Sequence, residues 1–154
     1  MIQKQELYFP KSKKYIWGEL VVETPEYWCD TTKELRTPNP PYTLTKCADG
    51  VGALQFSPAF YKSGKIPNVT LASLSQLLSD FAVQKKLGIP FEKVQLKNGL
   101  LVSAASYHQG ADFIRVWYVS DGLSFVLATY ICDWEMRFEE ASECEKIVRN
   151  IKFV

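Results

Sequence analysis

The chain has one histidine, His108, in the stretch S-Y-H-Q-G-A-D, and four scattered cysteines, Cys29, Cys47, Cys132 and Cys144, with no C-x-x-C pair. Nucleophilic or zinc chemistry would require a Cys, Ser, Asp or Glu from elsewhere to join His108, and neither a G-x-S-x-G elbow nor an H-E-x-x-H run accompanies it. A turn residue open to an interface accounts for His108 better; a hydrolase pairing it with a cysteine is the remote enzymatic alternative. The cysteines read as reduced thiols, with Cys132 and Cys144 acting as small hydrophobes among apolar neighbours. No phosphate-cradling G-x-G-x-x-G or Walker loop occurs, and the glycines fall where turns need positive φ. Glu139-Glu140 could serve as acid and base, but paired acids at a helix start read more simply as a solvated face. No catalytic residue, metal ligand or cofactor is therefore expected.

The residues that remain point to binding. Tyr42, Phe60, Tyr61, Tyr107 and Trp134 fall in or beside expected loops and strand ends, whereas Trp117 and Phe125 sit at expected strand centres. Tyr and Trp suit interfaces because they bury a large area, freeze few rotors and keep a polar handle. Glutamates close to Trp134 would steer a basic partner, raising encounter rate more than affinity. The partner-binding set expected on this basis is Tyr61, Tyr107, His108, Trp134, Glu135, Glu139 and Glu140.

Composition narrows the classes. A chain of 154 residues suits a single domain, and 47% hydrophobic with 14% aromatic residues supplies a packed interior. Eighteen basic against seventeen acidic residues leave a net charge of +1, without the positive excess that drives phosphate binding, so no nucleic acid is expected. The apolar stretches 100–105 and 125–130 fall well short of the roughly 20 residues of a membrane span. Residues 1–10 include Glu6 and no apolar core, so no secretory leader and a cytoplasmic setting are expected.

The elements that must position these residues follow from period and punctuation. Two apolar runs, Tyr15-Ile16-Trp17 and Leu20-Val21-Val22, read as a strand or short hairpin closed by Pro25, and T-P-N-P-P at 37–41 as a rigid loop. Runs 42–46 and 51–56 flank Ala48-Asp49-Gly50, a hairpin signal. Residues 57–68, with three turn-forming Pro and Gly positions beside Phe60 and Tyr61, read as a long aromatic loop. Leu71, Leu74, Leu77, Leu78, Phe81 and Ala82 predict a helix from a Thr70 cap to residue 87, stopped by Gly88 and Pro90. Runs 94–96, 100–106, 113–119 and 123–132 are joined by short turns as an antiparallel meander. A second helix is predicted over 137–149, then a short strand over 151–154. The class is α+β: a mostly antiparallel sheet of about six strands flanked by two main helices.

That order of elements, with R-V-W-Y-V-S-D-G-L-S-F-V-L-A-T-Y, E-K-I-V-R-N-I-K-F and the early L-V-V-E-T-P-E-Y-W, resembles the PsbP-like α/β/α sandwich. The resemblance covers most of the chain at the level of pattern and implies a binding role. Small bacterial proteins of this look are similar to immunity proteins that neutralise toxins delivered by contact-dependent or type VI secretion. The resemblance thus implies a non-enzymatic module that binds a cognate toxin. Its rival is a small-molecule or lipid-binding domain with a pocket between sheet and helix.

Overall fold

A computed structural model of the chain describes residues 10–59 and 69–154. Its strands are β1 Lys11–Ile16, β2 Leu20–Pro25, β3 Trp28–Asp30, β4 Tyr42–Lys46, β5 Gly52–Ala59, β6 Glu92–Asn98, β7 Leu100–Gln109, β8 Asp112–Ser120, β9 Phe125–Asp133 and β10 Lys152–Phe153. Its helices are α1 Leu71–Gln84 and α2 Ala141–Arg149. Seven strands form one antiparallel sheet in the order β3-β4-β5-β9-β8-β7-β6, and β1-β2-β10 form a second, smaller one.

The α+β class and the meander hold: the main sheet has seven strands where about six were expected, and three more among the described residues form the second sheet. The strand not anticipated in the main sheet is β3, whose three residues are too few for an alternation to register.

Period-two alternation divides the core into two layers. On β8, Phe113, Trp117 and Val119 join one cluster with α2 and the small sheet, while Ile114, Val116 and Tyr118 pack beneath α1. A strand buried on both faces is the keel of the fold, and Trp117 and Val116 on it are fully enclosed. The helix α1 lays Leu74, Leu78 and Ala82 on its side of the sheet. On the opposite side α2 contributes Cys144, Ile147 and Val148, spaced three and four apart.

Capping chemistry sets the ends of α1. Thr70 Oγ1 accepts from the Ser73 amide at 3.1 Å, and Ser73 Oγ accepts from the Thr70 amide at 2.8 Å, which closes a reciprocal cap. The helix was expected to run to residue 87 but ends at Gln84. Lys86 takes the left-handed position at φ 55°, and the Leu87 amide bonds back to the Ala82 carbonyl at 2.9 Å. The second helix begins at Ala141 instead of residue 137, and Trp134–Met136 form a single 3-10 turn before it. Strand β5 continues through Ala59, beyond the loop start expected at 57, and Tyr61 and Phe60 lie outside the described residues. Trp17, read as a strand residue, instead forms the β1–β2 turn with Gly18, at φ 48° and 70°.

The expectation of four reduced thiols is also corrected. Antiparallel pairing of β3 with β4 sets Cys29 opposite Thr45, and the Cys47 amide donates to the Tyr27 carbonyl at 2.8 Å. The two Cα atoms stand 5.2 Å apart and the sulfurs are bonded. Cys132 and Cys144 remain free and buried, as small hydrophobes should.

One glycine is dictated by close approach. A Cβ on Gly52 would come within 2.6 Å of both the Ile131 carbonyl oxygen and the Tyr130 hydroxyl. The hydroxyl cannot retreat, because Tyr130 is fully buried and donates to Glu140 at 2.9 Å. Gly52→Ala should therefore lower stability by about 1–3 kcal/mol, read as a fall in urea midpoint at unchanged slope.

Candidate functional site

The carboxylates of the α2 region are mostly spent on the protein itself. Glu140 is 1% exposed and accepts from the Tyr130 hydroxyl at 2.9 Å and the Val51 amide at 3.2 Å. Glu143 accepts from the Tyr27 hydroxyl at 2.7 Å and the Trp28 indole at 2.9 Å, with Lys46 at 3.7 Å. Glu145 accepts from Arg115 Nε and the Trp117 indole, each at 2.9 Å, and from Arg149 Nε at 3.0 Å. Three acids thus fasten one short helix to buried aromatic donors, satisfying N–H and O–H groups that would be costly to bury alone. The solvated acidic face expected here is corrected: Glu135 and Glu139 are exposed, and Glu140 is not.

The same contacts perturb the neighbouring groups. Burial, and then the Glu140 hydrogen bond, hold the Tyr130 hydroxyl far above its ordinary pKa. Burial, then Glu143, push Tyr27 up to about 12. Burial, then Glu140, raise the Cys144 thiol well above the usual value, and burial raises Cys132. Both shifts favour the protonated thiol. His108 pairs with Phe113 across β7–β8, and Phe113 with Cys132 across β8–β9, so His108 and Cys132 stand two strands or roughly 10 Å apart. His108 and Cys132 therefore form no hydrogen-bonded couple. Among the described residues no group of three His, Cys, Asp or Glu is placed to hold a metal, and no helix is long and apolar enough to cross a membrane.

Of the expected partner-binding set, the structure brings His108 and Trp134 together. Their rings stack at 3.6 Å and 6°. Trp134 is held in place by its amide, which donates to the Ala111 carbonyl at 2.7 Å in the β7–β8 turn. Glu135 and Glu139 flank it in sequence and are exposed. Tyr107 is corrected: it is 1% exposed and packs under α1, because adjacent residues on a strand point to opposite faces and His108 takes the other one. Tyr61 lies outside the described residues.

Three residues that sequence reasoning missed complete the surface. Phe91 meets Trp134 edge-on at 5.6 Å and is 54% exposed, while Phe138 is 80% exposed. Between the rings, the Arg137 guanidinium lies 4.1 Å from the Trp134 ring centre and 4.5 Å from that of Phe138, its NH1 donating to the Trp134 carbonyl at 2.8 Å. The three-residue spacing of Trp134 and Arg137 was the available signal; the helix assigned to start at 137 hid it. Phe91, Phe113 and Phe138 wall a cleft of about 380 Å³ that Arg137, Arg115 and Arg149 also line. A separate apolar groove of about 440 Å³ lies on the opposite face, between Phe81 and Leu87 near the end of α1 and Leu127 and Ile131 of β9.

No protein-family model and no curated protein matches the chain. Solved structures do. The solution structure of cyanobacterial PsbP (CyanoP) from Synechocystis superposes at a TM-score of 0.65 with 7% identity, covering 100% of this chain and 98% of that one. A crystal structure from Bacteroides thetaiotaomicron superposes at a TM-score of 0.56 with 10% identity, over 92% of this chain and 48% of that one. At such identities the likeness shows the fold, which is PsbP-like, in agreement with the pattern of elements in the sequence.

Proposed function

We propose that this chain is a non-enzymatic protein-binding module, of the kind that neutralises a cognate bacterial toxin by seating on it directly. The observation that carries the reading is the Phe91–Trp134–Phe138 ledge: two exposed phenylalanines beside a half-buried tryptophan, with the Arg137 guanidinium over the Trp134 and Phe138 rings. Exposed Phe side chains of this size have no folding reason to stay in water, and aromatic residues with Arg are the composition of interface hot spots. The fixed position of Trp134, bonded to Ala111 and stacked on His108, lowers the ordering cost of association.

The setting we infer is an oxidising compartment rather than the cytoplasm expected from the sequence, because a disulfide such as Cys29–Cys47 persists where thiols are not held reduced. A toxin met there, delivered by type VI or contact-dependent secretion, is the partner class this reading favours. The apolar groove beside α1 supports a second reading, a small-molecule or lipid site, since it is walled by Phe81, Leu87, Ile114 and Leu127.

Co-expression with the product of the adjacent gene tests the first reading. Growth should be rescued by the wild-type chain and the two proteins should co-purify. Phe91→Ala with Phe138→Ala should abolish both while leaving the thermal midpoint unchanged. Rescue by that double variant would remove the ledge from the interface, and absence of any rescue or capture would reject the toxin pairing.

A further inference from the structure

We infer that the cleft beside Trp134 receives a carboxylate side chain presented on an apolar segment of the protein partner, with Arg137 as the residue that docks it. The inference rests on the protein-binding reading of this face and specifies the chemistry of the partner.

Arg137 is the reason. Its guanidinium is held between two rings and spends NH1 on the Trp134 carbonyl, and it makes no ion pair among the described residues. A guanidinium carries five donors in a planar fork. The rings hold the guanidinium in place, and its Nε and NH2 donors suit a carboxylate bound in two-point fashion. The other guanidiniums of the cleft differ. Arg115 is 8% exposed and is held by Glu145, Glu92 and Ser106, and Arg149 shares Glu145. Glu145 already accepts from both of them and from Trp117, which leaves it little capacity for a third arginine.

The local field points the same way. Three arginines face two carboxylates, Glu92 and Glu145, along the cleft. Helix α2 opens onto it through Ala141 and Ser142, and its N-cap residue Glu140 makes no capping bond because its carboxylate is turned to Tyr130. The positive end of the helix therefore adds to the arginines. Phe91, Phe113 and Phe138 require that the arriving carboxylate be flanked by apolar groups. Glu135 and Glu139, exposed on either side of Arg137 in sequence, repel a run of negative charges, so the site favours one acid set in an apolar segment over a polyanion. The basic partner expected from the acidic stretch does not suit this cleft.

The test uses capped tripeptides Phe-Glu-Leu, Phe-Gln-Leu and Phe-Lys-Leu, titrated into the ¹⁵N-labelled chain while the Arg137 Nε–H and Trp134 indole resonances are followed. The Glu peptide should shift both saturably, with at least fivefold tighter binding than the Gln peptide and no saturation by the Lys peptide. Arg137→Gln should erase the Glu-over-Gln preference, and Arg137→Lys, which keeps the charge without the fork, should retain part of it. Equal binding of Glu and Gln peptides, preference for Lys, or no shift at millimolar Glu peptide would overturn the inference. With the adjacent-gene product as ligand the two readings separate. Loss of affinity with Phe91→Ala and Phe138→Ala but none with Arg137→Gln overturns carboxylate capture and leaves the protein-binding reading standing. Indifference to all three substitutions overturns both.

Discussion

Glu145→Ala should cost about 3–5 kcal/mol of stability, a fall in thermal midpoint on the order of 10 °C for a chain of this size. Glu145 is 22% exposed and its partner Arg115 on β8 only 8%. Its two oxygens accept from Arg115 Nε at 2.9 Å and NH2 at 3.3 Å, and from the Trp117 indole at 2.9 Å. Truncation leaves a buried guanidinium and a buried indole N–H without that acceptor, and removing one partner of a buried pair is the costly operation because the other charge stays desolvated. The second carboxylate on the same arginine provides an internal contrast. Glu92 sits 3.2 Å from Arg115 but is 52% exposed, so Glu92→Ala should cost at most about 1 kcal/mol. Urea unfolding of the two variants side by side measures the difference. A Glu145→Ala loss no larger than that of Glu92→Ala would mean that the buried pair does not anchor α2.

Opening the Cys29–Cys47 bond should be nearly as costly. The bond closes a loop of sequence separation 18, for which the chain-entropy model gives about 3 kcal/mol. Its location adds a local consequence. β3 is a three-residue edge strand paired only to β4, and beyond the bond it is held by Glu143 through Trp28 and by the Thr31 amide to the Thr43 carbonyl at 2.9 Å. Reduction, or Cys29→Ser with Cys47→Ser, should lower the thermal midpoint by roughly 10 °C and fray β3 first, seen as faster amide exchange at Cys29 and Asp30. Denatured without reductant, the chain should titrate two thiols, from Cys132 and Cys144, and four after reduction. Four thiols in the unreduced chain, or an unchanged midpoint, would contradict the bond and return the setting to a reducing compartment.

Local signals in the sequence carried most of the fold. Thr70 and the Leu71–Ala82 spacing located α1, and Asp49-Gly50 and Gly110 located two hairpins, because capping and positive φ act within four residues. The end of α1 escaped because Lys86 holds the left-handed position that glycine would have announced. The start of α2 escaped for a related reason. Its N-cap is Glu140, outside the Ser, Thr, Asp and Asn set, so nothing separated Arg137 and Phe138 from the helix.

The site was less legible because it depends on partners far along the chain. Glu140 reads as solvated beside Glu139, and only the Tyr130 hydroxyl and the Val51 amide, 10 and 89 residues away, make it a buried tie. Tyr107 reads as a turn-side residue because the apolar run closes at 106. β7 runs on to Gln109, so Tyr107 and His108 are neighbours on a strand and point to opposite faces. Trp134 was found, but its companion Phe91 comes from the entry to β6, on the far edge of the sheet, which only strand order brings near.

The most direct test of the protein-binding account is a calorimetric titration of the adjacent-gene product into the wild-type chain and into Phe91→Ala with Phe138→Ala. The account predicts one-to-one binding by the wild type and a loss of affinity on the order of 100-fold in the double variant, with both proteins equally folded. Equal affinity of the two would contradict it.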